Sequence, residues 1–291
     1  MRQPAASFKS VGTALLLSAA LAAAPLELWL GGDVHLGADG KGVLDALGPA
    51  TRGALGVVNL EGALSDAPSQ LPTDGGKVLL FQHPRAAMRL AEVGVAVASV
   101  ANNHALDAGP EGLSRTKEAL RAAGVLPADG AAARVERGGV SAAVLALNLS
   151  GDAPLDLAQK LARAKGSADV LVVSLHVSGP PRFLPTPATR AAVDAALKAG
   201  AAVVAVHGTH SIGPVERRGN AVVLWGLGNL AFDCRCTDES QSMVVRVALG
   251  KGGAGEVKVI PVRAGLNGKP VALDPAPDET LSLLQRLGSR F

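Results

Sequence analysis

Apolar residues fall along this chain in short runs, each closed by small or polar residues and separated from the next by helical spacing. Residues 26–31, 54–58, 95–100, 140–147, 170–175 and 202–206 are rich in Val, Leu and Ala and are short enough for buried strands. Residues 84–93, the stretch after Pro110, 155–165 and 188–198 carry amphipathic helix patterns, with Pro110 at a first helical position. From Gly213 the rhythm changes. Residues 215–217 and 222–225 read as a hairpin about Gly219 and Asn220, residues 243–249 and 257–262 as a second pair, and 278–287 as a closing helix. Strand and helix alternating first, and antiparallel strands after, predict an α/β protein with two sheets packed face to face and helices outside. Residues 62–79 read as a long loop and 177–187 as a proline-rich one. There is no internal repeat and no linker of the Pro- or Ser-rich type, so residues 23–291 are expected to form one domain.

What closes the runs carries the chemistry. The run at 95–100 gives way to Asn102, Asn103 and His104, then Asp107, at the carboxyl end of a core strand, where open α/β sheets place their ligands. Those residues alone would equally suit an Asn-rich turn. The other histidines break the tie. Of the six in the chain, His35, His104, His176, His207 and His210 stand just past such a run, and only His83 does not. Asp33, Glu61 and Asn103 share that position. Imidazoles, carboxylates and an amide without thiolate suit Zn, Mn or Fe. The donors outnumber the needs of one tetrahedral ion, which predicts two ions bridged by a carboxylate.

Composition narrows the reading further. The chain is 48% hydrophobic but only 2% aromatic, with no Tyr, which argues against a stacking surface for nucleic acid. Its net charge of +3 comes from scattered residues, so no nucleic-acid partner is expected. Arg2 and Lys9 precede an apolar run at 11–24 that ends in small residues, the pattern of a secretory signal peptide. Cleavage after Ala22 is expected, and with it export to the periplasm, envelope or medium. The only cysteines, Cys234 and Cys236, could form a strained disulfide or stay as two thiols.

Taken together, Gly32-Asp33, NLEG at 59–62, VANNHALDAG at 100–109, SLH at 174–176 and GLGNLAFD at 226–233 resemble the CapA family. That family is associated with poly-γ-glutamate capsule synthesis and belongs to the calcineurin-like metallophosphatase superfamily. The resemblance implies a four-layer α-β-β-α sandwich of the metallophosphatase type, with a dinuclear metal site at the strand ends. Position by position, it makes Asp33, His35, Glu61, Asn103, His176, His207 and His210 metal ligands, with Glu61 bridging. His104, with Asp107, becomes the group that polarises or protonates the substrate. His207-Gly208-Thr209-His210 has Thr where CapA-like chains usually have Pro. The function expected is that of an exported hydrolase-like protein of envelope-polymer metabolism. It would act on an anionic polymer or phosphorylated substrate, beside other capsule synthesis proteins. The competing expectations are a non-catalytic assembly or anchoring factor and an extracellular nucleotidase.

Overall fold

A computed structural model of the chain describes residues 25–290, apart from 68–69, 73–75, 77, 152–153, 180–182, 235–236 and 238. The expected signal segment, Pro180, Pro181 and Cys236 lie outside the described residues. The strand Leu26–His35 is the axis of the larger sheet. On one side it pairs in parallel with Leu55–Leu60, which continues through Val95–Ser99 to Leu126–Ala128. On the other side its first half pairs antiparallel with Gln241–Gly250, itself paired with Gly253–Arg263. Beyond a bulge between Leu30 and Asp33 the neighbour on that edge changes. There the parallel strand Asn229–Phe232 takes over, opposite Asp33 to His35.

The second sheet runs, in spatial order, through Val215–Arg218, Ala221–Leu224, Ala201–His207, Val170–His176, Val140–Asn148 and Ala133–Arg137. Its middle strands are parallel, and the expected hairpin closes one edge with Val215–Arg218 antiparallel to Ala221–Leu224.

Alternation along each strand decides the layers. Leu28, Leu30, Val57 and Val97 of the first sheet share one core with Val144, Val172, Val203 and Ala205 of the second. The opposite face of the first sheet (Trp29, Val58, Ala98) packs on Leu90 of helix Ala86–Glu92 and Leu120 of helix Gly109–Ala122. The outer face of the second sheet (Val173, Leu175, Val204, Val206) packs on Leu161 of helix Leu157–Lys165 and Val193 of helix Pro187–Lys198. The last of these helices starts where Thr186 Oγ1 accepts from the Thr189 amide at 3.2 Å, ahead of Pro187. The order is therefore helix, sheet, sheet, helix. Each large side chain fully buried in these clusters contributes roughly 1.5–3 kcal/mol.

Some elements depart from the sequence expectation. Residues 62–79 are no bare loop: Ala63–Leu64, Gln70–Pro72 and Val78–Gln82 build a small third sheet there. The first strand runs on to His35, because Val34 and His35 pair with Ala231 and Phe232 of a strand the apolar pattern does not announce.

That crossover is tight. The Asp33 amide donates to the Gly228 carbonyl at 3.0 Å, and a Cβ on Gly32 would fall inside the contact radius of the same oxygen. Gly32→Ala is therefore expected to force the Asn229–Phe232 strand away from the axis strand. The loss of stability should be about 1–3 kcal/mol, read from thermal or urea unfolding; an unchanged midpoint would refute the close approach.

Candidate metal centre

Strand register brings the polar residues together. In the first sheet Asp33 stands between Asn59 on one neighbour and Asn229 on the other, and Asn59 is in turn opposite Ser99. In the second sheet His176 stands between Asn148 and His207. Hydrogen bonds join the two rows across the seam at the carboxyl ends of the strands. The Gly208 amide donates to Asp33 Oδ2 at 3.0 Å, and Asn59 Nδ2 lies 3.3 Å from His176 Nδ1. Gly208 has φ +81°, and a Cβ there would meet His176 Nε2 at 2.7 Å, so only glycine lets the loop come this close.

At the centre are two carboxylates. Asp33 and Glu61 are each 1% exposed, and one ligand atom from each lies within 4.8 Å of a ring nitrogen of His210. His210 Nδ1 is 3.5 Å from Asp33 Oδ2 and its Nε2 is 4.0 Å from Glu61 Oε1. That ring is held by Asn229 Oδ1 at 2.8 Å from Nδ1 and by the edge of Phe232, with ring centroids 5.2 Å apart. His207 Nδ1 lies 3.4 Å from Asp33 Oδ1 without the alignment of a hydrogen bond. Both histidines of the His207-Gly208-Thr209-His210 segment thus face Asp33, Thr209 notwithstanding.

His104 stands at the rim, 4.0 Å from Glu61 Oε1 through Nε2. Its Nδ1 is 2.6 Å from Asp107 Oδ2, which also accepts from the Leu80 amide at 2.7 Å. A carboxylate on Nδ1 fixes the tautomer and turns Nε2 toward the carboxylates. Asp107 therefore acts on the site through His104. The remaining predicted ligands are engaged elsewhere in this structure. His176 Nε2 is 2.7 Å from Asn103 Oδ1, so these two face each other. His35 Nε2 is 2.9 Å from the Phe81 carbonyl, and its ring stacks at a tilt on Phe232. His83 is half-exposed, with Nδ1 accepting from the Arg85 amide, as its place in the sequence suggested. Cys234 is buried beside Leu80 and Phe232 and is disulfide-bonded.

Sequence reasoning passed over Asn59 and Asn229. Asn59 stands just past the run at 54–58, in the NLEG segment that served only the family resemblance, and Asn229 lies in the LGN triplet that had signalled only the family.

The electrostatics follow from burial. Burial pushes the Asp33 carboxyl up, but His207, His210 and His176 outweigh it and hold it below the usual carboxylate range. Glu61 is pushed well above that range, by burial first and then by the negative charges of Asp33 and Asp107. His176 is drawn down to about 3, chiefly by burial, with the neighbouring imidazoles adding to the effect and Asp33 opposing it. Among the described residues no Lys or Arg forms an ion pair with either central carboxylate; their only ion-pair partners are histidines. Two buried acids that cannot comfortably both ionise form a site short of positive charge, and its oxygen and imidazole donors fit a divalent transition ion.

This arrangement of sheets is shared with a known structure. A crystal structure of a hypothetical protein from Thermus thermophilus superposes with a TM-score of 0.57 at 17% identity, covering 82% of this chain and 99% of that one. That likeness is one of fold alone. The sequence goes further: residues 27–148 and 140–234 match the bacterial capsule synthesis protein PGA_cap family, and the chain belongs to it. It is 28% identical over 197 residues to the PGA biosynthesis protein CapA of Bacillus subtilis (strain 168), covering 60% of this chain and 52% of that protein. It is also 28% identical over 115 residues to the capsule biosynthesis protein CapA of Bacillus anthracis, covering 40% of this chain and 28% of that protein. The chain thus spans about half the length of the first relative and less of the second.

The buried neutral His176 has a thermodynamic signature. Its folded pKa of about 3 lies below the unfolded value near 6.5, so between the two only the unfolded chain takes up the proton. For metal-free protein, the stability that His176 permits is full above about pH 6.5 and is lost progressively as pH falls toward 3. Melting temperatures recorded across that window should fall less steeply for His176→Asn than for wild type. Parallel profiles would show that His176 is not held neutral.

Proposed function

We propose that this chain is an exported, metal-dependent hydrolase-like protein of capsule-polymer biosynthesis, built as a metallophosphatase-type sandwich. The observation that carries the reading is the Asp33–Glu61–His210 group, in which two buried carboxylates and an imidazole meet with no Lys or Arg among the described residues paired to them. Asp33, Glu61 and His210 would hold one ion. A second would draw on His207, His176 and Asn103, of which the last two face each other here. A bound divalent ion would supply an activated water and polarise a phosphoryl or amide oxygen.

The chain's own residues supply the rest. Gly208 N–H and Asn59 fix the Asp33 carboxylate by hydrogen bonds at 3.0 and 2.9 Å. His104, oriented by Asp107, presents Nε2 at the rim, where it can give a proton to a leaving group. The substrate would be an anionic envelope polymer or a phosphorylated compound. One observation favours the alternative of a non-catalytic assembly factor: His176 Nε2 and Asn103 Oδ1, two donors a second ion would need, lie 2.7 Å apart and face each other.

Wild type is expected to bind at least one equivalent of Mn²⁺, Zn²⁺ or Fe²⁺ after purification through chelator and reloading. Asp33→Ala should abolish binding. His104→Ala should keep the metal and lower turnover of a phosphoester or γ-glutamyl amide by about 10²–10⁴-fold. Metal analysis with those two assays separates the readings: metal without turnover in wild type favours the assembly factor, and no metal in any buffer overturns the metal-site assignment.

Export rests on residues 1–22. Mass spectrometry of the secreted or periplasmic protein should find a mature N-terminus at Ala23, and a cytoplasmic chain retaining Met1 would refute export.

A further inference from the structure

Two amides in the seam have no part in the ligand set, yet their polar atoms are fully committed. Asn59 is 0% exposed and Asn102 is 2% exposed. Asn59 Nδ2 lies 2.9 Å from Asp33 Oδ1 and 3.3 Å from Glu61 Oε2, so one NH₂ group touches both carboxyl groups. Those oxygens take hydrogen bonds, which requires the NH₂ side of the amide to face them. The Asn59 oxygen then faces Asn102, whose Nδ2 donates to it at 3.1 Å and to the Leu60 carbonyl at 2.8 Å. At its other end Asn102 Oδ1 accepts from the His104 amide at 3.1 Å.

The result is one continuous path, from the His104 backbone through Asn102 and Asn59 to Asp33 and Glu61. Packing alone does not call for it. Asn59 sits in a strand whose neighbours Val57, Val58 and Leu60 are apolar, and burying amides there costs free energy unless every polar atom is matched. We infer that Asn59 and Asn102 form a positioning relay that holds the Asp33 and Glu61 carboxylates at a set separation and ties both to the loop carrying His104. The inference rests on the reading that Asp33 and Glu61 hold a divalent ion. Outer groups of this kind orient the ligands, and losing one weakens binding without removing a donor.

The test uses Co²⁺ alone, titrated into the full chain and followed by calorimetry and by the visible absorption of the bound ion. Asn59→Leu keeps the volume and removes the amide. It is expected to weaken Co²⁺ binding about 10–100-fold and to shift the absorption band. Asn102→Ala should shift both in the same direction. The double variant should bind no more weakly than Asn59→Leu, because Asn102 acts on the carboxylates through Asn59. Should Asn59→Leu fail to fold, Asn102→Ser is read in its place against the same expectation. Variants that melt earlier but keep the wild-type affinity and spectrum would overturn the relay and leave metal binding standing. A wild type that binds no Co²⁺ would instead remove the metal reading and the relay together.

Discussion

Everything at the seam answers to the burial of one negative charge. Asp33 is placed by the axis strand where almost no water reaches it, and an isolated carboxylate there would cost several kcal/mol. The surroundings offset that cost with polar contacts from both sheets. Asn59 comes from one neighbouring strand and the Gly208 amide from the opposite sheet, with His207 and His210 close by. Because those partners come from separate elements, the charge also acts as a constraint on the fold. The sheets must meet in a register that brings the end of Ala201–His207 against the end of Leu26–His35.

Glu61 makes the same environment functional rather than merely tolerable. A single buried acid can be satisfied by neutral donors, but a second one beside it raises a demand for positive charge that the described side chains do not meet. The protein keeps the pair by leaving Glu61 reluctant to ionise. A cation of sufficient charge density would reverse that reluctance, which ties the ionisation of Glu61 to occupancy of the site. The sequence places the chain in the capsule synthesis family, while the neighbouring Thermus structure speaks only to the arrangement of the sheets.

Much of this was legible in the residues, for a physical reason. A buried parallel strand has an apolar body, so polar residues that close it stand out, and Asp33, Glu61, His176 and His207 were all visible in that way. Periodicity reports which face a side chain shares but not how far along the seam it lies. Asp33 and His35 alternate onto one face, yet two residues of strand amount to roughly 6–7 Å. That step sets the His35 ring against the Phe81 carbonyl and Phe232. Asn59 stood first after the run at 54–58 but was passed over in favour of the acid at Glu61; the strand runs on to Leu60 and takes the amide into the sheet. The strand Asn229–Phe232 was hidden because four residues beside glycines carry too little pattern to register. The three-stranded sheet within 63–82 is likewise made of pieces too short for periodicity.

His210 has a backbone φ of +54°, a region that glycine enters freely and other residues enter at a cost of about 1–3 kcal/mol. A glycine would trace the same path without that cost, but would give up the ring's contacts with Asn229 and Phe232. The imidazole is what the strained turn delivers, its face set by Asn229 and Phe232 and its nitrogens aimed at two acids from opposite ends of the ring. Loop shape and the placing of the imidazole are thus separable properties at this one position. A histidine held here in a conformation that glycine enters freely turns both ring nitrogens toward the two acids.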